Sequence, residues 1–236
     1  MNLTEKYRPT RLDDLLGQAK AVGIARQLIA RGLAGRAIWI SGKSGQGKTS
    51  LARILVSQFA DALNIEELDG SALTTSALTD WDDRCHYWPL GAKKGYGFVI
   101  NEAHGLHAPV VRRLLVLLDP PSPRALWVFT TTLEGQLNFI DGIDAPPLLS
   151  RCARIGLTSR GVAALFAERA KAIAGIEGLD GKALTAYVEL VNSLQGNMRA
   201  VLQAVETGQM ALPKLYLDGT GVTDAARARL SRALPD

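Results

Sequence analysis

The chain has 236 residues, of which 47% are hydrophobic, 21% charged and 6% aromatic, enough apolar material for one large domain or two smaller ones. That composition excludes a disordered polypeptide. No apolar run has membrane-spanning length, and Met1 to Tyr7 lacks the apolar stretch of a secretory signal. A soluble, intracellular, cytoplasmic protein without membrane attachment is expected.

The formal charge of +4 comes from 27 Lys plus Arg against 23 Asp plus Glu, too small a surplus to imply nucleic-acid binding by itself. It is concentrated at the start. Lys6, Arg8, Arg11, Lys20, Arg26, Arg31 and Arg36 precede Ile40 and face only Glu5, Asp13 and Asp14. The two cysteines, Cys85 and Cys152, are too few for a disulfide scaffold and read as reduced thiols. Cys85, His86, His104 and His107 match no standard zinc spacing.

Ala37 to Ser41 is a short apolar run with β-branched residues, and Ser50 to Val56 has helical spacing. Between them lies Gly42-Lys43-Ser44-Gly45-Gln46-Gly47-Lys48-Thr49, in which every position of the phosphate-loop pattern is filled. Glycines let backbone N–H groups curl around phosphates, and the helix start presents its positive dipole end. Lys48 reaches the outer phosphates and the Thr49 hydroxyl suits Mg2+. Gly42, Ser44, Gly45, Gln46, Gly47, Lys48, Thr49 and Ser50 are therefore candidate nucleoside triphosphate-binding residues.

Tyr96 to Glu102 reads as a buried strand whose end projects Asn101 and Glu102, where a parallel sheet places its ligands. Glu102 is the candidate for polarising the attacking water. Asn101 stands where an aspartate would hold the metal or its waters, so Asn101→Asp is expected to raise turnover if charge is the missing element. The helix-like run Pro109 to Leu118 closes on Asp119-Pro120-Pro121. The strand Ala125 to Phe129 then ends in Thr130-Thr131-Thr132. Thr131 or Thr132 is the candidate sensor of the terminal phosphate, and Thr131 is taken as the site residue.

Beyond Ser150-Arg151-Cys152 the chain turns helical and alanine-rich. A helix is expected from Thr158-Ser159 through Ala170, broken by Gly175 to Gly181, followed by Ala183 to Asn192 and Asn197 to Glu206.

With these residues in this order the chain resembles the clamp-loader-type AAA+ ATPases, similar to replication factor C small subunits and the motor subunits of the bacterial DNA polymerase III clamp loader. Tyr7-Arg8-Pro9, Gly17-Gln18, the phosphate loop, Asn101-Glu102-Ala103-His104, the Asp-Pro-Pro helix end, Ser150-Arg151-Cys152 and Gly196-Asn197-Met198-Arg199 carry the likeness. It implies an α/β fold, with a parallel-sheet AAA+ core over 1–157, a helical lid over 158–207 hinged near Leu157 to Ser159, and a tail over 208–236. It implies that Tyr7, Arg8, Pro9, Gly17 and Gln18 line the adenine side. Glu102 would be the catalytic glutamate, Arg151 an arginine finger acting on a neighbour's nucleotide, and Arg199 a lid sensor for the chain's own.

ATP and Mg2+ would be the cofactors. The partners would be a homo- or hetero-oligomer of AAA+ subunits, DNA bound without sequence preference, and a sliding clamp. The family's collar domain is expected to be lacking, with one short helix at Asp224 to Leu234. Together with Asn101, that fits a specialised or mobile-element relative, for instance a phage-encoded one. Two alternatives stay open: a regulatory or scaffolding subunit with weak hydrolysis, and a helicase loader or transposition helper.

Overall fold

The computed structural model describes residues 2–132, 139–140, 143–144 and 146–211. The expected helix at 224–234 and most of the 208–236 tail lie outside the described residues. In chain order the structure runs α1 (Leu3–Lys6), α2 (Ala19–Ala30), β1 (Arg36–Ser41), α3 (Lys48–Phe59), β2 (Ile65–Asp69), α4 (Thr75–Cys85), β3 (Tyr96–Asn101), α5 (Ala108–Leu117) and β4 (Ala125–Thr131). A two-residue pair, β5 (Phe139–Ile140) and β6 (Ile143–Asp144), precedes α6 (Pro146–Ser150), β7 (Ala153–Gly156), α7 (Ala163–Ile176), α8 (Leu184–Ser193) and α9 (Met198–Glu206).

The main sheet has five strands in the order β2-β3-β4-β1-β7, and every neighbouring pair is parallel. Alternation along the strands explains why both faces are covered. Trp39, Phe98, Ile100, Trp127 and Phe129 point to one side and pack with Trp81 of α4 and Leu114 of α5. Ile38, Ile40, Val99, Leu126 and Val128 point to the other and meet Ala25 of α2 and Leu51 of α3. On the first face Phe98 lies between Trp81, at 4.7 Å, and Trp127, at 4.6 Å. β2 is an edge strand: its residues are only partly buried, and Asp69 is exposed.

The helices α7, α8 and α9 bury a separate apolar cluster that includes Phe166, Tyr187, Val191 and Val201. Leu3 at the start of the chain packs into this cluster rather than onto the sheet. Tyr7 donates to Glu177, and Lys6 Nζ is 2.7 Å from the same carboxylate. The first residues, expected as part of the sheet-bearing core, are thus tied to the helical unit.

Helix α7 begins at Ala163, later than Thr158-Ser159, because those two residues are held in a connection. Gln18 Nε2 donates to the Thr158 carbonyl and Gln18 Oε1 accepts from the Thr158 N–H, both at 2.9 Å. Beside it Gly17 has φ +71°, and a Cβ there would sit 2.6 Å from Val162 Cγ1. A glycine suits both the backbone sign and the close approach.

Candidate nucleotide-binding site

The loop after β1 sits at the C-terminal edge of the sheet and feeds into α3, whose first turn has no side-chain cap. Uncapped N–H groups at a helix start form an anion-binding position. Lys48 is 6% exposed, and its Nζ donates to the carbonyls of Gly42, at 2.8 Å, and Lys43, at 3.1 Å. Gln46 braces the loop from beneath by accepting the Lys43 N–H at 3.1 Å, and its Nε2 is buried with no hydrogen-bond partner among the described residues.

Gly45 connects the loop to the helical unit. Its φ is +74°, a Cβ would lie 1.9 Å from Asn197 Oδ1, and its carbonyl accepts the Met198 N–H at 3.3 Å. Asn197 also caps α9 by accepting from Ala200 N. The phosphate loop therefore touches the start of the helix that carries Arg199.

A cleft of about 360 Å³ opens here, in the size range of small-ligand sites. Its floor is Ser44 to Ser50, one wall is Thr4 to Thr10, and the opposite wall comes from Phe166, Arg169, Ile173, Met198, Arg199 and Leu202. Tyr7, Arg8 and Pro9, named for the adenine side, line it; Gly17 and Gln18, named with them, do not, being occupied at the connection between sheet and helices. Arg169 stacks 6.0 Å from the centre of the Tyr7 ring.

At the sheet edge Glu102 enters the cleft. Its carboxylate accepts from Thr132 Oγ1 at 3.2 Å and lies 3.4 Å from His104 Nδ1. Thr131, named as the candidate sensor, is fully buried, and its Oγ1 is 3.2 Å from His104 Nδ1. Thr132 is thus the threonine that reaches the glutamate, and Thr131 stands behind it. This follows from strand length: β4 continues through Thr131, so alternation turns that side chain into the packed face.

The metal side consists of Thr49 and Asn101. Thr49 Oγ1 donates to Asn101 Oδ1 at 3.2 Å, and Thr130 Oγ1 donates to the same oxygen at 3.0 Å. Asn101 Nδ2 donates to Glu67 Oε1 at 2.7 Å. Hard oxygen donors of this kind fit Mg2+ that is bound chiefly through nucleotide phosphates. Asn101, whose oxygen already accepts two hydroxyls, belongs behind Thr49 rather than on the ion. Among the described residues no group of three or more His, Cys, Asp or Glu is arranged to hold a metal alone.

Arg151 lies outside the cleft. Its Nη2 meets Asp119 Oδ2 at 2.6 Å and its Nη1 donates to the Pro147 carbonyl at 2.8 Å. Sequence reasoning missed Glu67, His104, Arg169 and Asn197 as members of the site. His104, two residues after Glu102 in the same turn, had a local signal; the others are brought in by the tertiary fold.

No known family profile matches the chain. The replication factor C small subunit of Natronomonas pharaonis is 25% identical over 238 residues, covering 98% of this chain and 68% of that protein. The chain superposes on the RuvB Holliday junction branch migration motor of Thermotoga maritima with a TM-score of 0.61. The chain has the AAA+ fold and resembles the clamp-loader-type ATPases. In that RuvB structure the match is 23% identical and covers 85% of this chain and 64% of the other. The RuvB subunit of Chlorobium phaeobacteroides is 30% identical over 175 residues, and the chain spans 46% of its length.

Proposed function

We propose that the chain binds ATP with Mg2+ in this cleft and hydrolyses it as an AAA+ motor subunit of a clamp-loader-like oligomer acting on DNA in replication. The observation that carries this reading is one cleft lined by the phosphate loop, Glu102 and Arg199, with Arg151 turned away from it on the same chain. The likeness to a protein named replication factor C small subunit over 98% of the chain supports the clamp-loader setting.

In this reading the N–H groups of the loop and the start of α3 cradle the phosphates. Lys48 exchanges its two carbonyl partners for phosphate oxygens and neutralises charge that builds during transfer. Glu102, oriented by Thr132, accepts a hydrogen bond from the attacking water and draws off its proton. Bound Mg2+, held by Thr49 and the phosphates, would supply further charge neutralisation. Arg199 reports phosphate state to α9 and its neighbours, and Arg151 completes the site of the adjoining subunit. DNA would be held mainly through phosphates, and hence in a salt-dependent way.

The test is ATPase rate against protein concentration, with and without primed DNA, for wild type and Arg151→Ala. Turnover is expected to rise with concentration and DNA, and to fall by roughly 10³-fold or more in the variant while ATP binding survives. Tight binding with background turnover under every condition would instead favour a regulatory subunit, the reading to which the uncharged Asn101 lends support.

A further inference from the structure

Asn101 is held by partners on three other elements. Its oxygen takes the hydroxyls of Thr49 and Thr130, and its amide nitrogen donates to Glu67 on the neighbouring strand β2 at 2.7 Å. A carboxylate accepts only, so Glu67 dictates which end of the amide faces Thr49. In the strand register Glu67 sits opposite Val99, and both face α3, the helix that begins with Lys48 and Thr49. Arg53 of α3 holds the carboxylate from the far side, with Nε at 2.7 Å and Nη2 at 3.1 Å.

We propose that Glu67 is a positioning residue for the metal side of the nucleotide site, acting through a Glu67–Asn101–Thr49 chain that requires an amide at 101. This rests on the reading of the cleft as an ATP–Mg2+ site. The carboxylate polarises the amide and raises the accepting strength of its oxygen. The Thr49 hydroxyl then donates inward and leaves its lone pairs for a cation. The negative charge expected at the end of β3 stands instead one hydrogen bond away, in the middle of β2. An aspartate at 101 would set two carboxylate oxygens against each other across the gap now bridged by an N–H. Two acceptors at that separation share no proton and repel, so the link to Glu67 is lost.

The experiment uses the full chain, a ribose-labelled fluorescent ATP and a MgCl₂ titration of its binding. Glu67→Gln and Asn101→Asp should each raise the Mg2+ concentration for half-saturation by roughly tenfold, the size usual for loss of a metal-supporting contact. The double variant should return to the wild-type value, because the amide introduced at position 67 can donate to the carboxylate introduced at position 101 and restore the chain with its polarity reversed. An Asn101→Asp variant that by itself lowers the Mg2+ requirement, or a double variant as impaired as the sum of its parts, overturns the proposal. Wild type and Lys48→Ala showing the same lack of Mg2+-dependent binding would instead overturn the ATP reading and this inference with it.

Discussion

At Glu102 the backbone leaves the strand for φ 46° and ψ 52°, a region that costs a non-glycine residue about 1–3 kcal/mol. The turn is held by Gly105 N–H donating to the Glu102 carbonyl at 2.8 Å, and it swings the carboxylate from the sheet toward the cleft. Thr132 and His104 then limit where that carboxylate can point. Thr132→Ala is therefore expected to lower turnover by roughly tenfold, the worth of one hydrogen bond to a charged group, with little change in melting temperature. Thr131→Ala, altering a fully buried side chain, should lower stability first. Comparing ATPase rates and thermal melts of the two variants checks both outcomes; equal loss of turnover at equal stability would show that Thr132 has no special hold on Glu102. The cysteines play no part in this chemistry: burial raises Cys85 to about 11 and Cys152 to about 12, which leaves both as poorly reactive thiols.

At the scale of elements, the central strands are secured by aromatic packing on one face and aliphatic packing on the other. Phe98 is fully buried and touches two indole rings. Phe98→Ala should cost about 3–5 kcal/mol in a urea unfolding series, a large share of the stability of a domain this size. A loss below about 1 kcal/mol would mean that the rings close over the gap. The strands β1, β3 and β4 and the helices α3, α5, α8 and α9 were legible in the sequence to within about three residues, because each carries a clear period or apolar run. Strand β2 was not, since an edge strand reading Ile-Glu-Glu-Leu-Asp buries too little to show a pattern. Its two glutamates turn to opposite faces, Glu66 to Arg84 and Glu67 to Arg53. Helix α2 also went unread, although Val22, Ala25 and Leu28 give it a buried stripe.

Across the whole molecule, Glu177 ties the helical unit to the chain's first residues, and Asp180 ties α7 to α8 within that unit. Hydrogen bonds from Lys6 and then Tyr7 hold the Glu177 carboxyl below its ordinary range, and Lys171 does the same for Asp180, with help from Tyr187. A carboxyl whose folded value is depressed adds stability above its unfolded value and loses it as pH falls through the folded one. Thermal melts should therefore stay level from pH 7 to about 5 and decline below about 4.5. In Glu177→Gln/Asp180→Asn the neutral-pH melting temperature should be lower and the acid decline shallower; an unchanged decline would place the acid sensitivity elsewhere. The same pairing accounts for part of the basic start of the chain, where Lys6, Arg8 and Arg26 each meet a carboxylate within the molecule.

The sequence alone determined the phosphate loop and the strand ends at Asn101 and Glu102, because a phosphate cradle is built from contiguous residues whose types and spacing are their own signature. It also determined the helical character beyond Thr158, through a period set by each helix's buried face, but not strand β7 at Ala153–Gly156, which comes before it. Only the tertiary structure decided that Leu3 belongs with the helical cluster, that Gln18 grips Thr158, and that Thr132 rather than Thr131 reaches Glu102. It alone brought Glu67 to Asn101. Each of these is a meeting of residues far apart in the chain or a choice between two faces of a strand. Neither leaves a local trace, since strand register and packing against neighbouring elements arise only when the sheet assembles.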